Sequence, residues 1–259
     1  MSTSRHPVAL RLEGIVGGKT RLLATVMGLS LVDGIFPALV LAGALSTTIG
    51  IVQVGLLVFG GSATVAVILA EMDGTHREII ASVALVGVGV VVLAAIEAAI
   101  APTIESILYT HRFERAAALV IAAVAAKTAS ARVGEYLPRP AVVVGIGLVV
   151  SLDPSNPQLA LAPDLVLVAK AAAAAAVGAT FALLVAIAGP QLRQRMDVDR
   201  FRFGSAVALG LLALSIAGLI EVNSAPLAVM AVSAVLALDP SAGEGQPADT
   251  PTERADAAD

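Results

Sequence analysis

The sequence predicts an all-α fold: a polytopic transmembrane helical bundle of about eight spans, with six as the lower count. Three observations predict it. Of the 259 residues, 58% are hydrophobic and 14% charged, whereas soluble domains are about 45–50% apolar and roughly 25% charged. The apolar residues gather into runs close to the ~20 needed to cross hydrocarbon. The basic residues gather in the loops on one side of those runs. Such an apolar excess cannot be buried in one globule, so ordinary soluble enzymes and disordered scaffolds are poor readings. There are no cysteines, which excludes disulfide frameworks, thiol catalysis and Cys-ligated zinc or iron–sulfur sites. A net charge of −4 argues against a nucleic-acid partner.

Residues 1–21 form a leader with four basic groups and no signal-peptide pattern. Within it Val8, Leu12, Ile15 and Val16 keep helical spacing between Pro7 and Gly17–Gly18, which predicts a short helix lying in the cytoplasmic interface. Six long apolar runs follow: Leu22–Leu45, Ile49–Ala70, Ile79–Ala101, Ala116–Leu137, Ala141–Pro163 and Leu165–Gly189. Ser205–Ile220 and Ala225–Leu238 are shorter and read as short spans, a tilted pair or a re-entrant hairpin. Length and alanine content favour helix over buried strand, and the alternation a membrane barrel requires is absent. With the N-terminus inside, 12 of the 16 basic residues lie inside, Arg112 and Arg115 lie outside, and Lys127 and Lys170 fall within spans. That asymmetry orients a cell-membrane protein with both termini cytoplasmic. Residues 22–137 and 138–238 read as two membrane halves, and 239–259 as a disordered acidic tail.

The halves share a pattern. Asp33 is followed by Pro at four, Leu at six and eight, and Ala at nine, and the same series starts from Asp153, 120 residues later. Each copy sits about a dozen residues into its run, near the expected midplane. Pro37 in the first copy, and Pro154, Asn156 and Pro157 in the second, interrupt helical hydrogen bonding. Broken helices at matching positions of two halves point to a transporter site, although two proline kinks in a plain bundle would give the same pattern.

Ionisable groups in mid-membrane cost about 2.5–3.5 kcal/mol each on insertion scales and so face the bundle interior. Asp33 and Asp153 are predicted cation or proton sites, with Lys127, central in the fourth run, as counter-charge or internal cation. The alternative is a buried Asp–Lys pair that only fixes helix register. Glu97 and Lys170 lie near outer ends of their runs, within reach of the interface. Gln53, Ser62, Thr64, Thr128 and Asn156 offer oxygen ligands, and Gly50, Gly55, Gly60, Gly61, Gly87 and Gly89 read as packing residues. The three histidines fall in the leader or loops, so an intramembrane metal or Ser–His enzyme lacks its base. Glu71, Asp73, His76 and Glu78 read as a solvated loop rather than a metal site. No catalytic residue, cofactor or metal is expected, and the expected partners are the lipid bilayer and a small solute or cation.

Residues 32–44, 50–73 and Ala125–Arg132 resemble an uncharacterised multi-pass membrane family of halophilic archaea, over roughly Leu22 to Leu238. More loosely, the Pro-broken first helix and Asn156-Pro157 are similar to lysine-exporter-type transporters, with Gly34 and Pro37 standing where that superfamily has Pro-Gly-Pro. The first resemblance implies no activity; the broken helices, with no phosphate-binding loop in the chain, read as a gradient-driven transporter or exporter, and the second resemblance leaves substrate and coupling open. The rival is a non-transporting membrane scaffold whose loop Gln191–Phe203 and acidic tail dock a cytoplasmic partner or lipid headgroups.

Overall fold

The computed structural model describes residues 18–60, 75–153, 155, 163–195, 197–221 and 224–238. Outside them lie the leader up to Gly17, the acidic tail, Gly61, Ser62, Thr64, Glu71, Asp73, Pro154, Asn156 and Pro157. Every regular element among the described residues is helical, as the sequence predicts. They are α1 (Gly18–Val32), α2 (Ile35–Leu41), α3 (Thr48–Val54) continued by a π-helical segment (Gly55–Gly60), α4 (His76–Glu105) and α5 (Thr110–Ala129). Then come α6 (Ala131–Tyr136), α7 (Pro140–Val150), α8 (Leu165–Arg195), α9 (Val198–Ile216) and α10 (Ala225–Leu236).

Caps set many of the boundaries. Thr75 and Glu78 form a reciprocal capping box at the start of α4, with Thr75 N donating to Glu78 Oε2 at 2.8 Å. His76 and Glu78 therefore serve the helix start. Asp164 accepts from Val166 N and Leu167 N at the head of α8, and Asp197 accepts from Arg200 N at the head of α9. Ser130 is extended (φ −145°) and caps α6, which ends α5 at Ala129 and divides the fourth apolar run. The fifth run ends as helix at Val150.

At 30 and 31 residues, α4 and α8 are the long elements, about 45 Å each at 1.5 Å per residue. Both are long and apolar enough to cross a membrane, and α1 with α2, bent by 41°, makes a third candidate. Their outward faces are apolar as well: Val88, Val92, Leu93, Ile96 and Ile100 on α4, and Leu184 and Ile187 on α8, are exposed. Such a surface suits hydrocarbon.

The chain runs back and forth between two ends. Thr20 Oγ1 donates to Ser82 Oγ (3.2 Å), setting the start of α1 beside the start of α4. Arg202 Nε donates to the Thr128 carbonyl (3.0 Å) and Asp197 N to the Ala237 carbonyl (2.8 Å), so α5 and α10 end where α9 begins. Exposed Arg21, Arg77, Arg132, Arg139, Arg200 and Arg202 stand at this basic end. At the other end Lys170 Nζ donates to the Ser46 carbonyl (3.4 Å), and Tyr109 N and Asp153 N pair with the Ser151 and Ile107 carbonyls.

The core is built on small residues. On α8, Ala171, Ala174, Ala175, Ala182 and Ala186 are buried, against Val83, Val90, Ala94 and Ala98 on α4. The most extensive packing joins α4 to α8 and α5 to α9, pairs that run between the two expected halves. A Cβ at Gly87 would fall 2.9 Å from Ala179 Cβ, whereas one at Gly89 would meet nothing. We predict that Gly87→Ala lowers stability by about 1–3 kcal/mol through overpacking. Gly89→Ala should be neutral or gain up to about 1 kcal/mol from helix propensity. Thermal unfolding of both variants in detergent micelles reads the difference.

Candidate functional site

The site begins at a break that the sequence forces. In a continuous helix the carbonyl of Asp33 would bond to the amide of residue 37, and Pro37 has none. The chain therefore leaves the helix after Val32, turns through Asp33 and Gly34, and restarts at Ile35. Gly34 takes φ +75°, a left-handed conformation that other L-residues adopt only with strain. Pro37 falls in the first turn of α2, where a missing donor is tolerated. Ring packing of Phe36 against Phe59 (centroids 5.0 Å apart) ties α2 to the π-helical segment. With seven residues of α2 beyond it and ten apolar helical residues (Leu23–Val32) before it, the hinge has about 10 Å of helix on one side and about 15 Å on the other.

A cavity of about 340 Å³ opens beside this hinge, within the size range of small-molecule pockets. Its polar lining is Ser30, Asp33, Lys127, Thr128 and Arg202, and its apolar walls include Val26, Leu29, Leu57, Val124 and Leu209. Three separated segments thus supply its polar groups: the α1–α2 hinge, the last turn of α5 and the first turns of α9. Asp33 is half-buried, while Lys127 and Arg202 are exposed, so the cavity opens toward the basic end. Among the described residues no ion pair within 4 Å joins Asp33 to either cation. Helical segments of π geometry are rare and frequently lie at functional sites, and Leu57 and Val58 of the π-helical segment form part of this wall.

Several residues stand elsewhere than the sequence predicts. Lys127 is not central in its helix. It lies in the last turn of α5, because Ser130 ends that helix to cap the next, and a cation there suits the helix dipole. Its stem packs on Gly134, where a Cβ would come within 2.8 Å of Lys127 Cγ. Asp153 does not share the hinge cavity. It follows α7 at the end opposite the basic one and accepts hydrogen bonds from Ser155 N (2.9 Å) and Ser155 Oγ. The structure therefore separates Asp33 from Asp153. Ser155, then the Tyr109 hydroxyl and the Arg112 charge, hold the Asp153 carboxyl below its ordinary value of 3.8. Arg112 in turn stacks on the Tyr109 ring at 4.7 Å.

The second-tier candidates also lie away from the cavity. Gln53 is buried in α3. Lys170 is half-buried and reaches the Ser46 carbonyl. Glu97 is half-buried in α4, with its Oε2 enclosed and without a hydrogen-bond partner among the described residues. Asn156 and Pro157 lie outside the described residues. Arg202 is the member that the sequence reading missed. The seventh apolar run starts at Ser205, but Asp197 caps a helix that starts at Val198 and carries Arg202 into the wall. An Asp three residues before Arg200, at the foot of an apolar run, was the available signal.

Residues 90–217 match the model of a family of unknown function, DUF5794. The match includes Lys127, Thr128 and Arg202 of the cavity wall and not Asp33. No curated protein matches the chain, and no solved structure does.

Gly34→Val should cost about 1–2 kcal/mol in backbone strain, increased by contact with Val144 Cγ1, which a Cβ would approach to 3.2 Å. Gly34→Asn should cost less, since Asn tolerates the left-handed region. Unfolding curves compare the two. Asp153 has a depressed folded pKa, so its stabilising effect is complete above the ordinary value of 3.8. That effect is lost as pH falls through the folded value. Melting temperatures taken from pH 6 to pH 3 should therefore fall less steeply in Asp153→Asn than in the parent.

Proposed function

We propose that this chain is a multi-pass cell-membrane protein that moves a small solute through the cavity at the α1–α2 hinge, with no catalytic step. One observation carries the reading. Asp33, at a helix break near mid-depth, shares a 340 Å³ cavity with Lys127 and Arg202 from distant segments. A break in a membrane helix is tolerated only where protein or a water-filled cavity satisfies the freed backbone groups. Broken helices flanking a cavity are the recurrent architecture of solute sites in secondary transporters, and the likeness to lysine-exporter-type proteins rests on the same break.

Eight passes are part of this reading. The back-and-forth course of α1–α2, α3 with its π-helical segment, α4, α5, α7, α8, α9 and α10 supports it. So does the collection of exposed arginines at one end, which becomes the cytoplasmic side. At 11 and 12 residues α7 and α10 do not reach across ~30 Å of hydrocarbon alone, and α4 and α8 provide the full-length frame. The scaffold alternative makes the buried charges structural, and the lack of an ion pair within 4 Å between Asp33 and Lys127 gives that account no support at the hinge.

Reconstituted in liposomes, the parent protein should conduct at least one member of a panel of cations and small amino acids. Asp33→Asn and Lys127→Gln should each reduce that flux at least tenfold with helix content retained by circular dichroism. Flux that survives both substitutions unchanged would remove the cavity from the pathway.

A further inference from the structure

We propose that the groove between α9 and α10 holds one anionic phospholipid, its headgroup on Arg200 and an acyl chain along the two helices. This rests on the reading of α9 and α10 as membrane passes, and not on the hinge cavity conducting. The groove, about 470 Å³ in volume, descends from the basic end. At its mouth Arg200 stands in the first turn of α9, and Leu236 is the last residue of α10. Below them Gly204 meets Ser233, where an added Cβ would collide with the Ser233 side chain. Without a side chain at Gly204, the α9 backbone itself floors the groove. Val207 and Val229 line the deep end, each seven residues from the mouth residue of its own helix and so about 10 Å further in. Phe203 and Val207 are exposed beside this furrow. Ser233 Oγ donates to the Val229 carbonyl (2.7 Å), so its hydroxyl hydrogen is spent within α10. Below Arg200 the lining is therefore suited to hydrocarbon.

The charge at the mouth selects the occupant. Arg200 is exposed, and its Nε lies 3.0 Å from Asp197 Oδ2. One carboxylate engages at most two of the five N–H groups of a guanidinium in a fork, and the others match phosphate oxygens. A step of two residues turns about 200° around a helix. Arg202 therefore serves the hinge cavity from one side of α9, while Arg200 stands over the groove on the other. Arg21, Arg77, Arg132 and Arg139 are exposed at the same end and add to its positive field. Of the exposed carboxylates described there, Glu78 is held in its capping box, which leaves Glu135. An apolar groove alone would take any acyl chain, and the guanidinium at its mouth favours a chain that carries an anionic headgroup. Inorganic phosphate would use the arginine and leave the apolar furrow unfilled. A second copy packed here about an axis normal to the membrane would bring its own Arg200 to the same depth, setting like charge against like.

The chain contains no tryptophan, so Phe203→Trp supplies a single fluorescent reporter beside the groove. The full-length variant is reconstituted in vesicles that mix phosphatidylglycerol with phosphatidylcholine, one or the other brominated, and quenching of the tryptophan is read. Phosphatidylglycerol should quench with about fivefold higher relative affinity, the effect of one arginine near a membrane surface. Adding Arg200→Gln should bring that ratio close to one. This substitution keeps the Arg200 backbone N–H on Asp197 Oδ1, so α9 retains its cap. Leu85→Trp, at an exposed position of α4, is the reference and should be quenched by both lipids alike. Equal quenching by the two lipids at position 203 would overturn the anionic site while leaving α9 in contact with lipid. An equal phosphatidylglycerol preference at position 85, or a preference that survives Arg200→Gln, would also overturn it, in favour of general attraction to the basic end. Quenching by neither lipid at 203, with Leu85→Trp quenched, would show the groove covered by protein and would remove the lipid-facing passage of α9 and α10 along with the site.

Discussion

Helices α4 and α8 meet along alanine and glycine, and that lack of side-chain bulk lets their backbones approach until a single added methyl at Gly87 would collide with Ala179. Lipid tails are as apolar as leucine, so burial alone does not drive membrane helices together. Close van der Waals contact between small residues does. The same seam extends to the π-helical segment. A Cβ at Gly178 would run into Phe59 and lie 2.7 Å from the Gly55 carbonyl. Phe59 is held there against α8, and Phe36 of the hinge packs on Phe59. The position of the α1–α2 break is thus inherited from a seam of small residues on α4 and α8.

That coupling explains why a break can persist in an otherwise apolar bundle. Pro37 and Gly34 make the hinge locally inevitable, but a local break does not by itself make a site. The hinge becomes one because α5 ends at Ser130 and α9 begins at Asp197, both at the basic end. Those two caps bring Lys127, Thr128 and Arg202 to the same wall. The Arg202 bond to the Thr128 carbonyl locks α5 and α9 together at the cavity mouth. At the far end, pairing of Ile107–Tyr109 with Ser151–Asp153 ties α7 to the α4–α5 turn. Asp153 is occupied there as a turn-capping group, away from the cavity.

Much of the fold was legible because hydrocarbon-length apolar runs and one-sided arginines are one-dimensional signals. The helical class, the long third and sixth elements and the break at Asp33–Pro37 were all readable in that way. Helix ends were less so. An apolar run tells where helix is tolerated and not where it stops, and Ser130 cuts one run and Asp197 extends another through single side-chain hydrogen bonds. Lys127 was read as central because its run continues to Leu137. The extended backbone at Ser130 shifted it to the last turn of α5, where it is exposed.

By itself the sequence determined the helical class, the helices long and apolar enough to cross a membrane, the hinge at Asp33 and the basic end. Each follows from local chemistry: hydropathy, the missing proline donor, glycine's access to positive φ, and charge at the ends of runs. Only the tertiary structure decided which polar groups share a cavity. Asp33 and Asp153 look equivalent along the chain, yet one borders a cavity and the other caps a turn at the opposite end. Lys127 and Arg202 are 75 residues apart and line one wall. Convergence of this kind depends on how helices pack, and the close approach of α4 and α8 is a pairwise property of surfaces that no single stretch of sequence encodes.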